Sequence, residues 1–321
     1  MYVLELGGED DSFAAAEAGV AASDVSVIAP GLALARTLDP ARFRTLAFAR
    51  RAARVIDRCE ASVAAATTAV AGASLDRQGT VAVRARDVRA SAGIDTRAAE
   101  RSIGDVLTDA GFAVDLDAPD HVLVALFAAD TCVLGWRVVE SVRDFGDRRP
   151  TDRPFFQPGS MDPLLARAVV NLAGVDPGDR LLDPMCGTGG LLLEAGLVGA
   201  RPIGFDAQAK MVGGARDNLA AFLEGPWDVG RADATRLPLR DDAVDAVVFD
   251  APYGRQSKIE THALGDLVAG ALAESRRVAD RAVVVADRSW RDAAAAADWS
   301  VTAVHERRVH RSLDRVIHVL A

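Results

Sequence analysis

The chain has 321 residues, half of them hydrophobic, and carries 37 Lys and Arg against 46 Asp and Glu for a formal charge of -9. That length points to about two domains, and the acidity excludes a generally basic nucleic-acid binder without excluding a local basic patch. No early stretch joins a basic start to a long apolar segment and a cleavage site, and no run reaches the roughly 18 apolar residues of a membrane span.

A soluble, cytoplasmic protein without a membrane partner is therefore expected. Cys59, Cys132 and Cys186 are far apart in the chain and lack a metal-ligand spacing, so neither a disulfide framework nor a metal is expected. Lysine occurs only at 210 and 258, while Arg and Asp abound. Such a surface suits a salt-rich cytoplasm, where charge self-repulsion is screened; a GC-rich genome would give the same composition.

Residues 1 to 45 alternate short apolar runs, "YVLEL" and "VSVIAPGLALA", around the Ala-rich helix "DDSFAAAEAGVAA". From 46 to 140, "LAFARRAARVIDRC" has the apolar spacing of a helix, "TVAVRARDVR" alternates as a strand does, and "TRAAERSIGDVLTDAG" returns to helical period before a Gly stop. Two strand-like segments follow, "VDL" and "HVLVALFAADTCVLGWRVV". This reads as a small α+β unit. Arg84 and Arg86 share one strand face, Arg89 continues the basic stripe, and Arg97 and Arg101 on the next helix extend it. Solvated surface arginines are the bland alternative. Residues 141 to 154, "SVRDFGDRRPTDRP", are charged and closed by two prolines, and predict a linker.

From 155 to 321, strands alternate with helices: "RLLDPMCGTGG", "PIGFD", "WDVGRAD", "DAVVFD" and "AVVVAD" are strands with helical segments between them. That order predicts parallel βαβ units in a doubly wound α/β sheet. The final "WSVTAVHERRVHRSLDRVIHVLA" predicts an antiparallel hairpin at its edge.

In open α/β sheets, ligands bind at the carboxyl ends of the strands. Gly187, Thr188, Gly189 and Gly190 form a glycine-rich turn there, where backbone approaches a ligand closely and N–H groups at a helix start can face it. Asp183, Asp206, Asp233 and Asp250 each close one of four successive strands. N-capping the next helix would account for any one of them. Together they favour a nucleoside site, with Asp206 placed for ribose hydroxyls and Asp233 for the adenine edge.

The fourth strand runs into "DAPYGR". An exocyclic amine on a nucleobase is a poor nucleophile because its lone pair is delocalised. A carboxylate from Asp250 and the carbonyl of Ala251 accepting its two hydrogens would localise that pair toward an incoming methyl group. Pro252 restrains residue 251 and helps to aim its carbonyl, and Tyr253 is placed to stack on an extruded base. Cys186 lies in the glycine turn without a base partner, and reads as a packing residue at a ligand wall.

"DPMCGTGGLLLEAG" with "DAPYGR" resembles the class I, Rossmann-like S-adenosylmethionine-dependent methyltransferases that modify exocyclic amines. "RPFFQPGSMDPLLARAVVNLAG" is similar to the segment before the first strand in one branch, the archaeal tRNA guanosine N2-methyltransferases acting at tRNA position 10. "GTVAVRARDVR" and "VDLDAPDHVLVALFAADTCVLGWRV" resemble strands of a THUMP domain. The resemblance implies a ferredoxin-like part at 1–45, a THUMP RNA-binding domain at 46–140, a linker at 141–154 and a methyltransferase domain at 155–321. It implies S-adenosyl-L-methionine as cofactor. Asp183 with Cys186, Gly187, Thr188 and Gly189 would hold its methionine part, Asp206 its ribose, Asp233 and Ala234 its adenine, and Phe155 and Pro158 would lie over the methionine end. Asp250, Pro252 and Tyr253 would be catalytic. Arg84, Arg86, Arg89 and Arg255 would contact tRNA, with two methyl groups added and a small activator protein left open as a partner. The chain departs from the family at Ala251, where a second proline is usual. A ribosomal RNA guanine N2-methyltransferase, a DNA amine methyltransferase and a catalytically decayed tRNA-binding protein are the rival readings.

Overall fold

Strand pairing divides the chain into two large sheets, one in each of two units, Met1–Val142 and Arg143–Ala321. The computed structural model describes residues 1–252, 264–310 and 313–321.

The first unit contains β1 (Tyr2–Leu6), α1 (Asp11–Ala18), β2 (Ala22–Ser23), β3 (Ser26–Ala29), β4 (Leu32–Ala35), β5 (Thr37–Leu38), α2 (Pro40–Phe43), β6 (Ala49–Glu60), α3 (Val63–Gly72), β7 (Thr80–Asp87), α4 (Thr96–Asp109), β8 (Ala113–Val114), β9 (His121–Ala128) and β10 (Thr131–Glu140). Eight of these strands form one sheet in the order β3-β4-β1-β6-β10-β9-β7-β8. Residues 1–45 and 46–140 thus contribute to a single sheet, because β1 pairs antiparallel with β4 on one side and β6 on the other.

The helix expected in "LAFARRAARVIDRC" is instead the central strand β6. Its register shifts against both neighbours, between Glu5 and Leu6 on β1 and at Leu134/Gly135 and Arg137/Val139 on β10. Such irregularities break the period of two that marks a strand in sequence. Pairing of β6 with β10 also sets Cys59 directly opposite Cys132, both as free thiols. Burial pushes both thiols up, so neither is a ready nucleophile.

α3 and α4 cover one face of this sheet, where Ala66, Val70, Ile103 and Leu107 pack on Val81, Val83 and Leu123. Alternation along β7 sends Arg84 and Arg86 to the opposite face. Arg97 and Arg101, exposed on α4, do not extend their stripe.

The second unit contains α5 (Pro163–Leu172), β11 (Arg180–Asp183), α6 (Gly190–Leu197), β12 (Arg201–Asp206), α7 (Ala209–Phe222), β13 (Asp228–Arg231), β14 (Ala246–Asp250), α8 (Leu264–Val278), β15 (Ala282–Ala286), α9 (Arg291–Ala296), β16 (Val301–His310) and β17 (Leu313–Leu320). Its seven strands run in the order β13-β12-β11-β14-β15-β17-β16. The first five are parallel, and β17 inserts antiparallel between β15 and the edge strand β16. The chain order reverses between β11 and β14, which makes their carboxyl ends the switch point where such sheets bind ligands.

The segment 141–154 is not a solvated linker. Residues 143–154 belong to the second unit, and Arg148 and Arg153 are buried in it. Arg148 forks onto the buried Glu194 of α6, with Nε at 2.6 Å and Nη2 at 3.1 Å. Arg167 of α5 reaches the same carboxylate at 2.8 Å. The charge of Arg148, which suggests solvent when read locally, is here satisfied by a carboxylate 46 residues away in the chain.

Candidate active site

The strand ends at the switch point are held by their own acids. Asp183, the last residue of β11, is only 2% exposed, and its Oδ1 accepts from the Met185 N–H at 3.0 Å. Burial pushes its pKa well up, and the charges of Asp206 and Asp250 push it the same way. Asp206, the last residue of β12, accepts from Gly187 N–H at 3.0 Å and from Gln208 N–H at 2.9 Å. It thereby ties the glycine turn to the neighbouring strand.

Gly189 closes that turn at φ 77° and caps α6 without a side chain. A Cβ there would stand 2.7 Å from Leu219 Cδ1, so both the backbone conformation and the packing call for glycine. The Leu193 N–H is the one that returns to the Gly189 carbonyl, at 2.9 Å. The N–H groups of the first turn of α6 thus precede its hydrogen-bond ladder, as at any helix start.

An open cleft of about 190 Å³ lies over this turn. It brings together Pro158, Asp183, Cys186, Gly187, Thr188 and Asp250 of the expected site. Gln157, Ser160, Met161 and Met211 also line it and were missed in the sequence. Only the adjacency of "QPGSM" to the expected Phe155 and Pro158 could have pointed to the first three. A buried acid, a glycine turn at a helix start and apolar methionine walls fit a nucleoside linked to an amino acid.

Phe155, Gly189, Asp206, Asp233 and Ala234 are not among the residues lining this cleft. Phe155 is seated on α7 instead, where a Cβ on Gly214 would fall 1.9 Å from its ring. The buried Asn218 holds it: the side chain accepts from Phe155 N–H at 2.8 Å and donates to the carbonyls of Phe155 and Thr188, each at 2.9 Å. Asp233 lies two residues beyond β13 and accepts from the Thr235 N–H and hydroxyl. Ala234 packs in the core with Leu237 and Val268.

Asp250 ends β14 and faces the cleft. Its Oδ2 is 3.3 Å from Nη2 of Arg315, a residue of β17 that is only 4% exposed. The same Nη2 is 3.5 Å from the Gly159 carbonyl. Sequence reading missed Arg315, since only the insertion of β17 beside β15 brings it near Asp250. Ala251 donates its N–H to the Val285 carbonyl at 2.8 Å, which fixes the backbone where the family's second proline is absent. Pro252 follows, half-buried. Tyr253 and Arg255 lie outside the described residues.

Cys186 is buried against Gly204, and burial pushes its thiol well up. It is a neutral wall residue at physiological pH, without the character of a nucleophile.

In the first unit, the three expected RNA-contacting arginines are engaged within the fold. Arg84 donates to the Leu116 carbonyl at 2.8 Å, Arg86 lies 3.3 Å from the buried Glu5, and Arg89 pairs with Asp11. Among the described residues, no group of three or more His, Cys, Asp or Glu could hold a metal, and no helix is long and apolar enough to cross a membrane.

A seven-stranded sheet of this order, with a glycine turn and strand-end acids at its switch point, defines a class I methyltransferase fold. Residues 150–317 match the family model of the RMKL-like methyltransferase domain. The chain is 41% identical over 233 residues to tRNA (guanine(10)-N2)-dimethyltransferase of Methanothermobacter thermautotrophicus, covering 71% of this chain and 69% of that protein. It is 30% identical over 249 residues to the tRNA (guanine(10)-N2)-dimethyltransferase of Pyrococcus abyssi, covering 76% and 74%. The crystal structure of TrmN from Thermus thermophilus superposes with a TM-score of 0.51 at 21% identity, over 99% of this chain and 98% of that one. The chain belongs to this RMKL-like methyltransferase family, together with its archaeal relatives.

Proposed function

We propose that the protein is an S-adenosylmethionine-dependent tRNA guanine N2-methyltransferase that modifies position 10 and adds up to two methyl groups. The observation that carries the reading is Asp250 at the end of β14, facing one cleft with Asp183 and the glycine turn. The archaeal relatives named for this reaction support it. When bound, the cofactor supplies an electrophilic methyl group on its sulfonium.

The chain's residues divide the remaining work. Asp183 meets the ammonium of the cofactor's amino acid part, and the glycine turn approaches it through backbone. Asp206 and Asp233 extend the site toward ribose and adenine. Asp250 and the Ala251 carbonyl accept the hydrogens of the guanine N2 amine, which turns its lone pair toward the methyl group; alignment of this kind contributes many kcal/mol without a covalent intermediate. Pro252 restrains the backbone, and Tyr253 stacks on the base. Residues 1–142 are the tRNA-binding unit, THUMP-containing over 46–140. There, Arg84, Arg86 and Arg89 present their remaining donors to phosphate, contacts that position the RNA without reading its sequence.

The test incubates the protein with labelled S-adenosylmethionine and unmodified tRNA transcript, then digests the RNA and identifies and maps the nucleoside. N2-methylated guanosine at position 10, absent with Asp250→Ala, is the expected result. Label on adenine, on DNA or at another guanine would overturn the substrate assignment. Binding without transfer would overturn the enzymatic one.

A further inference from the structure

Asn218 is a fully buried side chain of α7 that is absent from the cleft lining. Its Oδ1 accepts from the Phe155 N–H at 2.8 Å, and its Nδ2 donates to the carbonyls of Phe155 and Thr188, each at 2.9 Å. Both amide hydrogens are thereby used, and the group can face only one way, since a flipped amide would set its oxygen against two carbonyls. A polar group this deep is costly when unanswered and holds its partners rigidly when answered.

The two segments that Asn218 joins both build the cleft. Gln157, Pro158, Gly159, Ser160 and Met161 follow Phe155 and all line it, as does Thr188 of the glycine turn. No helix or strand covers 153–162, so no backbone ladder holds this stretch and its place depends on its anchors. At one end Asp162 caps α5, accepting from the Leu164 N–H at 2.9 Å. At the other, the Phe155 ring sits in a notch of α7 that exists because residue 214 is glycine; a Cβ there would collide with the ring. Lys210 Nζ lies 5.6 Å over the same ring, within cation–π range. A second tie runs beside the first. The hydroxyls of Ser160 and Thr188 are 3.1 Å apart, and Ser160 donates its own hydrogen to the Gln157 carbonyl at 2.8 Å, so Thr188 is the donor between them. Phe155, expected over the methionine end of the cofactor, is instead an anchor for the residues that do line the cleft.

We propose that Asn218 is a positioning residue for the cofactor: by clasping Phe155 and Thr188 it fixes the spacing between segment 157–161 and the glycine turn, and with it the width of the cleft. The role rests on S-adenosylmethionine being what the cleft binds. Asn218 touches no ligand in it and acts only through Thr188 and through the segment that Phe155 anchors. A cleft already held at its working width loses no affinity to the ordering of a loose wall.

Two variants of the full chain test this from different sides. Asn218→Asp keeps the size and the acceptor for the Phe155 N–H but turns an oxygen toward two carbonyls. Gly214→Ala fills the notch under Phe155 and leaves Asn218 in place; alanine is favoured over glycine inside a helix, so this variant keeps α7 and serves if the first does not fold. In calorimetric titration with S-adenosylhomocysteine, Asn218→Asp should bind about tenfold or more weakly, the scale of hydrogen bonds lost from a buried group, and Gly214→Ala should weaken binding by a smaller factor. In methyl transfer to tRNA the loss should fall on KM for S-adenosylmethionine, with kcat at saturating cofactor kept within about twofold, the mark of a lost binding interaction. A merely structural residue would lower the thermal midpoint and leave KM alone. Either folded variant binding S-adenosylhomocysteine as the wild type does, or a kcat loss that saturating cofactor does not restore, would overturn the proposal. Failure of the wild-type protein to bind S-adenosylhomocysteine would instead overturn the cofactor reading.

Discussion

Asp183 is the residue where binding and stability are set against each other. Its raised pKa means that the folded protein without ligand holds the acid's proton more tightly than the unfolded chain does. This stabilising contribution is full below the ordinary carboxylate pKa of about 4 and is lost as pH rises through the raised folded value. Asp183→Asn, which cannot ionise, should unfold at pH 7 at or above the wild-type temperature in a thermal scan without ligand, yet bind S-adenosylhomocysteine at least about tenfold more weakly. A variant that loses stability and keeps affinity would contradict the role given to this acid. Arg315 poses the complementary test. Arg315→Met removes the cation 3.3 Å from Asp250, and kcat should drop on the order of tenfold or more, the scale of about 1.5–3 kcal/mol for a hydrogen bond to a charged group. Binding of S-adenosylhomocysteine should change little, since Arg315 is absent from the cleft lining. The strand-end positions of Asp183, Asp206 and Asp250 were legible in the sequence because each acid ends a short apolar run next to a local turn. Asn218 and Arg315 were not, because each acts on a partner that only the tertiary fold brings near.

At the scale of elements, local pattern succeeded where one face of an element meets one environment. α4 buries Ala99, Ile103 and Leu107 on a single stripe and was found from its period. β6 failed that test: its pattern of burial is irregular because both neighbouring pairings slip, and its Ala and Arg composition carries little strand preference. The segment at 141–154 misled for another reason, since charge density says nothing about which carboxylate answers it. β17 carries a pH-sensitive contact. His318, 1% exposed, accepts from the Trp290 N–H through Nε2 at 3.1 Å, which assigns the other ring nitrogen as the donor toward the Val284 carbonyl. Burial lowers its pKa, so the unfolded chain takes up the proton first as pH falls. The stability that neutral His318 contributes is full above about pH 6.5 and is lost as pH drops below that value. Thermal midpoints should decline from pH 7 to pH 5, and His318→Gln, which keeps an acceptor and cannot titrate, should flatten that decline. An unchanged slope would show that other groups govern it.

The whole molecule is acidic at -9 with lysine at only two positions, and its repulsion should ease as salt shortens the Debye length from about 10 Å at 0.1 M to about 3 Å at 1 M. The thermal midpoint should therefore rise between 0.1 M and 1 M KCl; a maximum at the low end would sink the expectation of a salt-rich habitat. The doubly wound topology of the second unit was readable from strand and helix alternation, whereas the continuous sheet of the first was not, since pairing of β1 with β6 leaves no local trace. The insertion of β17 also orders events in time. β17 is the last of the seven strands to be synthesised, yet it lies inside the sheet between β15 and β16. While a nascent chain still lacks it, β14 can be complete and Asp250 still has no Arg315 beside it. Asp250 gains this counter-ion only at the closing step of assembly, so a ribosome-bound fragment ending before Leu313 would carry the glycine turn and the strand-end acids of the fold without the ion pair that β17 completes.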